Sequence, residues 1–289
     1  MSTKDVVRDA DADLQVYSPH RAGLPRFGPY FRDLRARLPF AAESSKASIR
    51  AAHSQTVFGQ LWLIINPLLM SFVYFLLVVI IGGRGGIDVL AHIVSGLFVF
   101  HLVSGSMSAG ASSVTGGGRL IMNMAFPRLL MPMSAVRTAF FRFLPTLPVV
   151  LVMKAFTDEE WGPQMLLGLV FLGFMVIFSI GIASILATLQ VYFRDTSSFL
   201  PFFTRIWLYM SPIIWTVDSV QTGKFERFAD LLLYGNPLFT MVGGWTELVL
   251  EGTIPSPTFW VVSACWSVGI AVVGSLFFMS REREFAVRL

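Results

Sequence analysis

An all-helical integral membrane protein is what this sequence predicts, on three observations. Only 14% of the 289 residues are charged and 54% are hydrophobic, whereas soluble domains are about a quarter charged. The apolar residues fall in blocks near or above the roughly 18–20 residues that cross a bilayer as a helix. The basic residues between those blocks are shared unevenly among the loops.

Residues 1–26 are polar, mixed in charge and without apolar periodicity, which reads as a disordered tail. Asp9, Asp11 and Asp13 are read there as solvated carboxylates in preference to a metal site. A polar stretch this long is not a cleavable signal peptide. From residue 27 the character changes. Phe27, Tyr30, Phe31 and Leu34 recur at helical spacing, with Arg32, Asp33, Arg35 and Arg37 on the other side. Aromatics opposite basic residues describe a helix lying in the membrane interface. Pro39 should break it, and a more polar helical piece at about 43–58 should follow.

Six spans are read at 59–81, 90–111, 128–153, 163–191, 198–217 and 257–279. The resulting organisation is a tail (1–26), interface helices (27–58), a six-span domain (59–280) and a second tail (281–289). Sixteen Lys/Arg fall on the side of both termini and four on the other. The positive-inside rule therefore puts both termini in the cytoplasm. The net charge of +4 records this orientation and not nucleic-acid binding. With one cysteine, Cys265, no intrachain disulfide forms.

Residues 218–256 lie outside on this topology. They hold two apolar pieces, 228–234 and 238–252, each too short to span and separated by Asn236-Pro237. Helix, break and helix between two spans predict a re-entrant hairpin or an outer lid, bordering a pathway because re-entrant backbone needs protein or water to receive it. The two halves of the chain show no internal repeat, which argues against an inverted-repeat transporter.

The motifs for chemistry are poor. Thr115 to Arg128 (TGGGRLIMNMAFPR) is glycine-rich and basic. A P-loop, however, needs Lys-Ser/Thr after its glycines and a strand before them. The histidines form no HExxH motif, and His92 and His101 are better placed for hydrogen bonds in a bundle than as ligands. No metal site is expected. A polyprenyl-phosphate glycosyltransferase would need acidic groups near the interface, and the spans contain almost none. The acidic loop Thr157 to Trp161 reads as a solvated turn. Arg137 and Arg142 lie inside the third span, where a cation normally faces a partner, a bundle interior or a wet cavity. Five residues apart, they point in different directions. Contact with an anionic substrate group and structural pairing both stand as readings of the two.

Taken together, ordered motifs carry a resemblance. Gly59-Gln60-Leu61-Trp62 with Asn66-Pro67 resembles the start of the first span of type-2 ABC exporter permeases, in the branch that exports lipid-linked polysaccharides such as O-antigen, teichoic acid and galactan. Gly96-Leu97-Phe98, Phe126-Pro127-Arg128, Arg194-Asp195, Ser211-Pro212 and Asn236-Pro237 are similar to its later landmarks. The resemblance covers about 28–280.

It implies a homodimer of six-span subunits bound to two copies of a separate ATPase. Mg-ATP would sit in that partner, with no cofactor in this chain. It implies residence in the bacterial inner membrane and a polyprenyl-pyrophosphate glycan as substrate. ATPase-coupling residues would be Gly118, Arg119, Leu120, Ile121, Met124 and Phe126, with Arg194 and Asp195; the glycines would turn the chain sharply out of the second span. Channel-lining candidates are Trp62, Phe72, Tyr74, Phe75, Trp207, Tyr209 and Trp215, since aromatic faces pack on sugars. The outer gate would use Tyr234, Asn236, Pro237 and Trp245. A type-2 ABC permease for a small drug or lipid is the alternative, and a membrane glycosyltransferase the third reading.

Overall fold

The computed structural model describes residues 24–52, 56–83, 85–118, 126–157, 159, 161–221 and 226–288. All regular structure among them is helical. Two short helices come first: α1 (Phe27–Ala36) and α2 (Leu38–Ala51), separated at Arg37, with Pro39 in the first turn of α2. Proline is tolerated there because a first-turn N–H has no helical acceptor. The long helices follow: α3 (Trp62–Gly82), α4 (Ile87–Gly116), α5 (Leu130–Phe143) and α6 (Leu147–Ala155), then α7 (Gly168–Tyr192) and α8 (Thr196–Met210). Next come α9 (Val217–Gln221), α10 (Ala229–Gly235) and α11 (Pro237–Thr246); α12 (Pro257–Arg281) and α13 (Phe285–Arg288) complete the order.

Among the described residues, five helical segments are long and apolar enough to cross a membrane. This is a multi-pass membrane protein. The predicted third span is α5 and α6, joined by a 3-10 turn at Leu144–Thr146 that carries Pro145. The predicted fifth span is shorter than expected. α8 has 15 residues and stops at Ser211, because Pro212 has no N–H to continue it. α3 ends on Gly83, which adopts the left-handed conformation (φ 62°) that closes a helix at little cost to glycine.

α4 is the central helix and α7 packs beside it. The approach is close because the residues are small: a Cβ on Gly110 would meet the Ala183 Cβ at 2.5 Å. α7 and α12 approach still closer, and a Cβ on Gly274 would lie 2.2 Å from the Gly181 carbonyl oxygen. Without a hydrophobic force between helices in lipid, such backbone approach is a main source of association. α3 is the opposite case. Among its residues only Ser71 is buried, and most of its apolar surface is open.

Glycine has a different use at the end of α4 from the one its sequence predicts. Gly116 is still helical, and Gly117 caps the helix at φ −96°, a conformation open to any residue. What Gly117 permits is a close approach: a Cβ there would meet the Met131 Cε at 1.9 Å.

Candidate functional site

Two clefts flank α3. The first, about 630 Å³, lies between α3, α4 and α5. Trp62, Asn66 and Met70 line it from α3, His101 and Gly105 from α4, and Thr138 and Arg142 from α5. The second, about 400 Å³, lies between α3, α4 and α8, with Tyr74, Ser104, Ser108, Thr204 and Arg205 on its walls. Met70, His101 and Gly105 line both. Neither lining includes an Asp or Glu among the described residues.

The two arginines of α5 part company. Arg137 donates to the Ala42 carbonyl at 3.1 Å and lies over the Phe141 ring at 4.5 Å. It works with Ser134, which donates to the Ala41 carbonyl, and Thr138, which donates to Ser45, to hold α2 against α5. Arg142 faces the first cleft, and its Nε is buried without a hydrogen-bond partner among the described residues.

The aromatic candidates also divide. Tyr74, which lines the second cleft, meets Tyr209 edge to face, ring centroids 6.3 Å apart. Trp62 lines the first cleft against Phe58. Phe72 is exposed and Phe75 half-buried on α3. Trp207 and Trp215 use their N–H groups structurally, donating to Asn236 Oδ1 at 2.7 Å and to the Tyr209 carbonyl at 3.0 Å.

Around the break at Asn236 the distal end is tightly built. Asn236 Oδ1 also accepts from the Leu238 N–H, and its amide donates to the Met210 carbonyl at 2.8 Å. Pro237 follows as the first residue of α11, all ten residues of which are buried. Trp245 donates to Ser95 at 2.9 Å. Tyr234 is exposed, and its carbonyl accepts from Trp266. After α11 the chain widens into a π-turn, Glu247–Glu251, ended by left-handed Gly252 (φ 67°). The fully buried Lys154 donates to the Leu250 carbonyl there at 2.6 Å. Burial, with the charges of Glu251 and Asp218, raises the Glu247 carboxyl to about 7. Burial first, then Asp218 and Glu159, also hold the Glu251 carboxyl above its ordinary value.

At the proximal end, α1 does not lay all four of its aromatic and apolar residues outward. Phe27 and Phe31 are exposed, but Tyr30 and Leu34 are buried against protein. Tyr30 donates to Glu282 at 2.8 Å, and the same residue's carbonyl accepts from Arg128. Burial first, then the Glu282 charge, hold the Tyr30 hydroxyl well above its ordinary pKa. Tyr192 donates to Glu284 beneath the Arg288 guanidinium. Phe126 packs on Phe40 with centroids 5.8 Å apart. Gly118 is half-buried, and Arg194 and Asp195 are exposed in the turn before α8. Arg119, Leu120, Ile121 and Met124 lie outside the described residues.

Sequence reasoning missed Arg205, Lys154 and Glu282 as parts of these arrangements. Arg205 was legible as a charge inside an apolar run. The other two carried no local signal.

The fold and its clefts define a multi-pass membrane protein, and its relatives make the class more specific. The chain is 27% identical over 247 residues to the O-antigen export system permease protein RfbA of Klebsiella pneumoniae, covering 82% of this chain and 90% of that one. A second K. pneumoniae protein of that name matches to the same extent. RfbA of Myxococcus xanthus is 26% identical over 238 residues, with the same coverage. No family model matches. The similarity agrees with what the motifs resemble, a type-2 ABC exporter permease.

Proposed function

We propose that this chain is the membrane-spanning subunit of an ATP-driven exporter that carries a lipid-linked polysaccharide out of the cytoplasm across the bacterial inner membrane. The observation that carries the reading is near-full-length similarity to three proteins named O-antigen export system permeases. Two copies of the chain pair, and each binds a separate ATPase through the turn after α4 and the Arg194-Asp195 turn. Both termini are cytoplasmic. α8, with the residues that follow to 217, serves as the remaining crossing, and α10 with α11 forms the outer gate.

Uncovered surface supports the pairing. Phe199, Phe202, Ile206 and Tyr209 form one exposed stripe on α8, and α3 leaves most of its face open. Apolar patches of this extent mark surfaces that meet lipid or another chain. Tyr74 and Tyr209 suit the wall of a glycan path, presenting a flat apolar ring and a hydroxyl.

The test is deletion of the gene with immunodetection of surface glycan. Loss of surface glycan, with its lipid-linked form accumulating inside and recovery on complementation, supports the reading. Unchanged surface glycan, with loss of efflux of a small hydrophobic dye, would replace it with the small-molecule permease.

A further inference from the structure

Arg142 is a cation in an apolar segment, with no counter-charge among the described residues. An arginine in a span is retained where a partner, an anion or a water-filled cavity receives it. No salt bridge among the described residues involves Arg142, and no carboxylate lines its cleft. Its Nε is buried and has no hydrogen-bond partner among the described residues. Arg137, five positions earlier, shows what a structural arginine does here: it is bonded to a carbonyl and packed on a ring.

The facing wall carries two side chains that can donate. Trp62 and Asn66 are four apart, so they share one face of α3, and both line the cleft. An indole N–H and an amide NH₂ donate, and a guanidinium offers five N–H groups and no acceptor. A guanidinium fork also matches the paired oxygens of a phosphate. The rest of the α3 wall is apolar and runs from Trp62 to Val73, about 16 Å at the helical rise. A cation and donors in one cleft, together with an apolar slot, are complementary to an anionic head on a long apolar tail.

We propose that the cleft between α3, α4 and α5 is a binding site for the phosphate head of a polyprenyl pyrophosphate lipid, held by Arg142 with Trp62 and Asn66 opposite. The choice of this lipid over another phosphate-bearing lipid rests on the export reading above. Arg205, on the far side of α3, lines the adjoining cleft, which shares Met70, His101 and Gly105 with the first.

The complex of the chain with its ATPase, in phosphatidylcholine nanodiscs, is titrated with undecaprenyl pyrophosphate, undecaprenol and phosphatidylglycerol, and bound lipid is read by native mass spectrometry. Undecaprenyl pyrophosphate should bind at least tenfold more tightly than undecaprenol. Arg142→Gln should remove about tenfold or more of that affinity, as loss of a hydrogen bond to a charged group does, and leave undecaprenol unchanged. Arg142→Lys should retain part of it. Asn66→Leu, at an exposed position on the opposite wall, should weaken binding about threefold in a fold left intact. Arg137→Gln should not change the preference for the phosphorylated lipid.

Equal affinity of wild type and Arg142→Gln for undecaprenyl pyrophosphate would overturn the site and leave the export reading standing. Phosphatidylglycerol bound as tightly as undecaprenyl pyrophosphate would overturn the assignment of the ligand. Arg142-dependent binding in a complex that exports no glycan would keep the site and end the export reading.

Discussion

Trp207 Nε1 and Asn236 Oδ1 lie 2.7 Å apart and join the end of α8 to the break before α11. The same Asn236 side chain serves the Leu238 N–H and the Met210 carbonyl, so one side chain holds an indole and two backbone groups.

Asn236→Ala should therefore strand an indole N–H, a backbone N–H and a carbonyl at once. Each buried group left unpaired costs about 1–3 kcal/mol. The detergent-purified protein should melt several degrees lower, and hydrogen exchange should rise in 207–217 and 236–242. A melting point within one degree of wild type would show that the bonds are replaced by water.

Glu247 gives the distal end a pH dependence. It faces Glu251 and Asp218, while Glu159 lies near Glu251 and Lys154. Its folded pKa, about 7, is above the ordinary glutamate value, so the folded state binds its proton more tightly than the unfolded state does. Its contribution to stability is full below about pH 4.5 and is lost as pH rises through about 7. Relative to the intrinsic exchange rate at each pH, the amides of segment 229–256 should be better protected at pH 5.5 than at pH 8. Glu247→Gln should flatten that difference, and an unchanged pH profile in the variant would assign the titration elsewhere.

Gly274→Val tests the α7–α12 contact. A Cβ there meets a backbone carbonyl, which cannot rotate away, so the helices must separate. Overpacking of a well-packed contact costs about 1–3 kcal/mol. Purified yield and melting temperature should both fall, while Gly269→Val, where a Cβ meets nothing within 4 Å, should be tolerated.

Tyr30→Phe removes the hydroxyl that serves the half of Glu282 facing α1. Hydrogen bonds to charged groups are worth about 1.5–3 kcal/mol. α1 should become accessible to limited proteolysis between residues 24 and 37, with the long helices unaffected. Equal cleavage rates would mean that Leu34 burial alone seats the helix.

Met124→Asp with Phe126→Asp addresses coupling. Phe126 rests on Phe40 of α2, so it lies where motion of a bound ATPase would reach the interface helices. The variant complex should hydrolyse ATP while surface glycan falls at least tenfold. Normal export from a complex that still co-purifies would remove this turn from the coupling path.

The long helices were legible because lipid-crossing needs length and apolarity, and both are local. The end of α8 was not. Its apolar run continues to Trp215, but the Ser211-Pro212 pair read as a family landmark is also the physical stop. The continuation of α4 to Gly116 was hidden by its Ser- and Gly-rich last turns, which read as loop. That Arg137 and Arg142 diverge followed from helical geometry. Which of them would stay unpaired did not, because Arg137 is satisfied by a carbonyl 95 positions away. The π-turn and its buried Lys154 depend on how α6 meets residues 247–251, a contact between elements that no local pattern encodes.

The bond from Tyr30 to Glu282 closes a separation of 252 residues. At about 5–20 residues per second, synthesis needs roughly 10–50 s to traverse it. Throughout that interval α1 exists without its acceptor, with Tyr30 and Leu34 looking for an apolar surface. The bilayer surface is open to them in that interval, and the bond to Glu282 forms only once residue 282 has been made. Seating of α1 is then a signal that the later helices have been inserted, and a partner that recognises seated α1 would engage only subunits whose insertion has reached that far.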